Sequence, residues 1–278
     1  MTGPFADTIT LRGPLAGIAW TALSLQVAIF AAPLLLVLWL SLMAEGAQPA
    51  DLSLTAWTSL LGSREARIAL SNSLSLAALT ALLTTFLAMP LAYLVAIRGR
   101  FLGRLLLGFV ILMWFLDPGM RILGWMQAFK DLAFLELLPA ALLAGFPAEL
   151  IASIHAWLPL SALALAAGFS RICPALLDAA RECGATGFGL LHRIVWPLSR
   201  RTVALTVTLV FCGSIGSFLE PRLLGTGEFE QASEWLQRAL ESETGWPYAA
   251  SMLLLMLLLA SLPLALALFL IQRRRPAP

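Results

Sequence analysis

Residues 177–199 read LDAARECGATGFGLLHRIVWPLS, a polar stretch broken by Gly184, Gly187 and Gly189 and flanked by long apolar runs. In an oily chain such a stretch marks a loop on the cytoplasmic side that touches a partner. Pro174 suits a first helical turn and Ala175 to Cys183 are mostly good helix formers, so the spacing predicts a short helix running until Gly184. The glycines then let the chain turn. A second helix beginning near Phe188 would carry Leu190, Leu191, Ile194 and Val195 until Pro197 breaks it at the membrane edge. Two short helices at an angle would offer the small residues Ala179, Ala180 and Ala185 to a groove in another protein, with Asp178, Arg181 and Glu182 making polar contacts at the rim. An acid/base role for Asp178 and Glu182, one helical turn apart, fits a cytoplasmic loop less well than partner contact. The bland alternative is an amphipathic loop that meets nothing.

Working outward, the chain has 278 residues, of which 60% are hydrophobic and 12% charged, with a mean hydropathy of +0.87. That balance excludes a water-soluble globule and implies a polytopic membrane protein. Uncharged windows run from Gly13 to Ala44, Ile68 to Ile97, Leu150 to Ser170, Thr202 to Leu219 and Thr244 to Gln272. Each is near or above the roughly 20 apolar residues that cross a bilayer as a helix. A sixth crossing is interrupted: Leu105 to Leu116 is short, and Asp117, Pro118, Gly119 and Arg121 intervene before Ile122 to Phe129 resumes.

Charge placement demands that sixth crossing. With the N-terminus inside and six spans, the cytoplasmic segments hold Arg12, Arg98, Arg100, Arg104, Arg171, Arg181, Arg193, Arg200, Arg201 and Arg273 to Arg275, twelve of the 18 Lys and Arg. Of the 16 acids only Asp7, Asp178 and Glu182 fall inside. This is the positive-inside bias. Without a crossing over 105–129, the arginine loops at 98–104 and 171–201 would lie on opposite sides. Both termini are therefore expected in the cytoplasm.

A net charge of +2 with arginines at membrane edges gives no case for nucleic-acid binding. Cys173, Cys183 and Cys212 are odd in number and imply no disulfide framework. The first apolar run, ending near MAEGA at 43–47, is too long for a cleaved signal and is expected to stay as a helix. No repeat or linker divides the chain, so residues 1–278 read as one transmembrane domain. Glu45 to Arg67, Lys130 to Glu149 and Glu220 to Glu243 are external segments long enough for short helices, and Leu137 to Ala148 is expected to be an interfacial one.

The opening stretch resembles the EAA loop of ABC-importer permeases, through Asp178, Ala179, Ala180, Gly184, Ile194, Trp196 and Pro197. It departs from that pattern in Asp for the usual Glu and Trp for the usual Leu. Nearly the whole chain is similar to the spermidine/putrescine (PotB-like) permease subfamily. The similarity includes Asn72 and Ser73 with Pro90 to Tyr93, then Arg121, Trp125 and Phe129, and Glu220, Pro221, Leu223, Leu224 and Gly225. The resemblance implies an all-α integral membrane chain with the six transmembrane helices of the ABC type I importer permease fold. It implies residence in a bacterial inner membrane, among lipid. It also implies a second homologous permease, two ATPase subunits holding ATP and Mg, and a periplasmic or extracellular solute-binding protein. Coupling to the ATPase would run through Asp178, Ala179, Ala180, Arg181, Glu182, Gly184, Ile194 and Pro197.

No catalytic constellation accompanies these features. His155 and His192 lack Cys or carboxylate at ligand spacing, GATGFG at 184–189 follows no strand, and no phosphate loop is present. The chain is thus expected to be non-catalytic, with no metal and no cofactor of its own. Polar and aromatic residues at helix breaks, Trp114, Asp117, Arg121, Trp125 and Glu220, are candidates for the substrate path, because such groups are costly at membrane depth and usually point inward. Taken singly, each better suits a boundary position at headgroup level, where Trp and charged groups are common. Asp117 and Glu220 suit an organic cation, to which Trp114 or Trp125 would add cation-π contact worth about 0.5 to 2 kcal/mol. Arg121 favours a carboxylate or phosphonate, or neutralises Asp117 four residues earlier. Amino acid derivatives, phosphonates and thiamine-like solutes remain alternatives to a polyamine. A stand-alone secondary transporter is the alternative of another class; it would be expected to show paired broken helices, which the sequence does not.

Overall fold

The computed structural model describes residues 14–43, 52–97, 100–134, 136, 139, 142–242 and 245–272. Arg12, Arg98, Arg273 to Arg275 and both termini lie outside the described residues, as does most of 137–141. The described residues form helices α1 (Pro14–Ser41), α2 (Thr55–Gly62), α3 (Arg64–Ile97), α4 (Arg100–Phe115), α5 (Pro118–Phe134), α6 (Phe146–Phe169), α7 (Pro174–Glu182), α8 (Gly187–Leu190), α9 (Trp196–Ser214), α10 (Leu219–Leu224), α11 (Ala232–Glu241) and α12 (Trp246–Gln272).

Among the described residues, five helical stretches are long and apolar enough to cross a membrane: Trp20–Ser41, Arg64–Ile97, Phe146–Phe169, Leu191–Ser214 and Trp246–Phe269. The sixth is a bent pair, Phe101–Phe115 with Pro118–Ala133, whose axes turn by 95° at the break. The fold is therefore an all-α membrane bundle with up to six crossings. The break has a local cause. Pro118 has no N–H to continue the ladder of α4, and Asp117 caps the new helix, accepting from the Met120 N–H at 3.1 Å. The residues expected to resume the span thus run almost at right angles to it. At 1.5 Å per residue the 16 residues of α4 reach only about 24 Å.

The core is built on small side chains. On α3 the buried positions Ala66, Ala69, Ser73, Ala77, Thr80, Ala81, Thr84, Ala88 and Ala92 recur at helical spacing. On α6, Ala148, Ala152, Ser153, Ala162 and Ala166 face them. Lipid tails are as apolar as leucine, so spans associate through close packing, which small residues permit. Most of the large leucines and phenylalanines of α1 and α12 point outward instead, though Leu255 and Leu259 pack on the core, and α1 packs on α12.

Two expectations from the sequence need correction. Leu137 to Ala148 does not form an interfacial helix among its described residues: residues 142–145 are irregular, and Phe146 already starts α6. Pro147 sits in the first turn of that span, where its missing N–H costs nothing. Nor does Pro197 break a helix. A five-residue π-helical stretch, Leu191–Val195, joins α8 to α9, and the Trp196 N–H donates to the Leu191 carbonyl. The wider turn makes room for the proline ring, so the chain runs on helically from Gly187 to Ser214.

Candidate functional site

The segment between α6 and α9 is organised around Gly184. Pro174 opens α7, and its end is closed by two bonds: Gly184 N–H to Arg181 O at 2.9 Å and Ala185 N–H to Ala180 O at 2.9 Å. With Gly184 at φ +85° this is a Schellman motif, which needs a residue in the left-handed region just past the helix. Gly187, at φ +45°, adds the second turn. Gly189 lies within α8 and is not a turn residue.

Asp178, Ala179, Arg181 and Glu182 stand exposed on α7. Asp178 and Arg181 form an exposed ion pair at 2.7 Å, of the i,i+3 kind that contributes only about 0.2 to 0.5 kcal/mol. Ala180 and Ala185 differ from expectation: both pack against the chain's own core, as does Ile194. Pro197 is exposed. Leu177, Leu190 and Val195, which the sequence reading did not assign to the site, are buried among Ala88, Met89, Ala92 and Tyr93 of α3 and Leu165 and Phe169 of α6. The segment thus has an anchored face and a free face, and its anchor is the end of the α3–α6 pair.

The candidate path residues cluster only in part. Trp125 meets His155 of α6 edge to face at 5.6 Å and Phe129 at 5.1 Å. Arg121 donates to the Ala156 carbonyl at 3.2 Å rather than pairing with Asp117. Trp114, 39% exposed, faces outward, and Asp117 is exposed at the break. Glu220 is only 7% exposed; it accepts a hydrogen bond from Ser217 Oγ and is turned into the protein. His155 joins Arg121 and Trp125, a neighbour the sequence reading did not pair with them.

A second cluster lies at the opposite end of α3 and α6 from α7. Glu149, three residues into α6 and 1% exposed, accepts from Gln231 Nε2. Asn72 Nδ2 donates to the Glu230 carbonyl at 2.8 Å, and the Ala232 N–H donates to Ser73 Oγ at 2.9 Å. The sequence signal for Glu149 was a carboxylate entering an otherwise uncharged span, the position where an ionisable group needs a reason.

The model of the binding-protein-dependent transport system inner membrane component family matches residues 77–276. The chain belongs to that family. Members are membrane subunits that carry no catalytic site of their own, in keeping with the absence of a catalytic motif from the sequence. The spermidine/putrescine transport system permease protein PotB of Haemophilus influenzae is 24% identical over 191 residues, 65% of this chain and 66% of that one. The glucose import system permease protein GlcT of Saccharolobus solfataricus is 33% identical over 92 residues, 32% of each. The match thus spans just under two thirds of the first relative and about a third of the second. A bacterial ABC transporter involved in the import of the acidic polysaccharide alginate has a chain of the same fold, with a TM-score of 0.75, 16% identity and coverage of 94% of this chain and 96% of that one. A complex of a bacterial alginate ABC transporter with its pentasaccharide-bound periplasmic protein gives 0.71 at 18% identity, covering 91% and 92%.

Proposed function

We propose that this chain is a permease subunit of an ABC importer in a bacterial inner membrane, forming the path for a small solute. A second, similar permease, two ATPase subunits that hold ATP and Mg, and an external solute-binding protein complete the assembly. The observation that carries this reading is the two-faced segment around α7. Its free face, Asp178, Ala179, Arg181 and Glu182, suits an ATPase groove, while Leu177, Leu190 and Val195 tie it to the ends of α3 and α6. Purification tests the assembly. A chain that is isolated and transports alone would favour a secondary transporter instead.

The substrate reading is a polyamine-like organic cation. Asp117 is exposed at the α4–α5 break, Glu220 lies on α10 beside α5, and Arg121 is drawn towards the Ala156 carbonyl. The spermidine/putrescine relative matches about twice the length that the glucose relative does. Uptake of spermidine by the reconstituted complex provides the test. Asp117→Asn keeps the helix cap and Glu220→Gln keeps an acceptor for Ser217, so each removes charge with little else. Each is expected to lower uptake several-fold while ATPase assembly is retained. Normal uptake in both, or a binding protein that selects an anion or a neutral sugar, overturns the cation reading and leaves the permease reading standing.

A further inference from the structure

We infer that Glu149 is a positioning residue that, with Gln231 and the Asn72–Ser73 pair, locks the segment Leu219–Glu241 onto α3 and α6. Load placed on that segment by a docked binding protein is thereby delivered to the spans. The inference rests on the importer reading above.

The lock consists of long-range hydrogen bonds that converge on three consecutive residues. Asn72 holds the carbonyl of Glu230, Glu149 holds the side chain of Gln231, and Ser73 holds the N–H of Ala232. The backbone N–H of Gln231 is taken by Glu234 in the capping box that starts α11. A fourth tie joins Gly145 N–H to the Leu224 carbonyl at 3.0 Å, and Phe146 packs edge to face on Phe229 at 4.6 Å. Ser73, Glu149 and Gln231 are each 1% exposed, so water does not compete for the bonds that Ser73 and Glu149 accept.

A buried carboxylate is a poor way to gain stability, since an apolar residue of similar volume usually serves as well or better. Glu149 is the more costly because its Oε1 has no partner. A carboxylate retained there specifies position: it accepts only where Gln231 is correctly seated. Beyond the lock, α11 turns a charged face outward, where Arg222, Glu230, Glu234, Arg238 and Glu241 border a cleft of about 450 Å³. That face suits a polar protein surface. Behind the lock, α3 continues from Ser73 for about 30 Å to Met89, Ala92 and Tyr93, where Leu177 of the α7 segment is seated. One pair of closely packed helices therefore joins the cleft-bearing segment to the ATPase-facing segment.

The test is ATP hydrolysis by the complete complex in lipid, with and without substrate-loaded binding protein. In Glu149→Ala and Gln231→Ala, basal hydrolysis and assembly are expected to persist while stimulation falls at least about fivefold, the lower end of usual coupling factors. Glu149→Gln still accepts from Gln231 and is expected to retain stimulation. If Glu149→Ala does not assemble, the half-buried Asn72→Ala removes the tie to Glu230 and is expected to act in the same direction. Full stimulation in the alanine variants overturns the inference. So does a parallel fall of basal and stimulated rates, or damage by Glu149→Gln equal to that by Glu149→Ala. An unmodified complex that no binding protein stimulates overturns the importer reading itself, and this inference with it.

Discussion

Gly184 shows how one residue sets the geometry of an exposed helix end. A Cβ there would meet nothing within 4 Å, so the demand for glycine comes from its φ of +85° and not from space within the chain. A β-branched residue in the left-handed region costs on the order of 1 to 3 kcal/mol, which would open the cap of α7 and reorient Asp178 to Glu182. Gly184→Val is therefore expected to express and assemble, yet to lose most stimulation of ATP hydrolysis by loaded binding protein. Gly184→Asn, which tolerates that conformation, should retain more of it. Normal stimulation in well-expressed Gly184→Val would remove the assignment. The glycine was legible from sequence because it ends a run of helix formers. The inward packing of Ala180 and Ala185 was not, since alanine suits either face of a helix and only the docking of Leu177 decides which is covered.

At the scale of elements, helix proximity is set by the smallest side chains. A Cβ on Gly213 of α9 would stand 2.1 Å from Trp157 Cη2 of α6 and under 3 Å from two more indole carbons. A rigid ring wedged between two spans cannot yield as a flexible side chain would, and overpacking of this kind costs about 1 to 3 kcal/mol. Gly213→Ala is expected to lower the unfolding temperature in detergent. Gly216→Ala, where a Cβ meets nothing within 4 Å, should not. Equal melting of the two variants would show that Trp157 has room to move. The α4–α5 break belongs to the same scale. The sequence announced it through Asp117 and Pro118, but the 95° turn follows from where α5 packs, beside α6 and α10.

For the whole molecule, the arginine distribution predicts both ends in the cytoplasm, and the connectivity then places the two polar segments at opposite ends of the α3–α6 pair. A cysteine introduced at position 274 in an otherwise cysteine-free chain is expected to resist membrane-impermeant thiol reagents in intact cells and to react once the membrane is opened. Labelling in intact cells would invert the topology and with it the sides assigned to the α7 and α11 segments.

Apolar spans, the break between α4 and α5, and a short helix ending at Gly184 could be read from the sequence alone, because each rests on quantities local in sequence: apolar run length, and a proline or glycine bounding a helix. The α10 and α11 helices were likewise foreseen as elements within a long segment. What they are tied to was not. Asn72 and Glu230 are separated by 158 positions, and Glu149 and Gln231 by 82. No periodicity carries information over that distance. Only the close approach of α3 and α6, permitted by their alanines, brings Ser73 and Glu149 beneath one tripeptide and turns two polar residues in apolar helices into a lock.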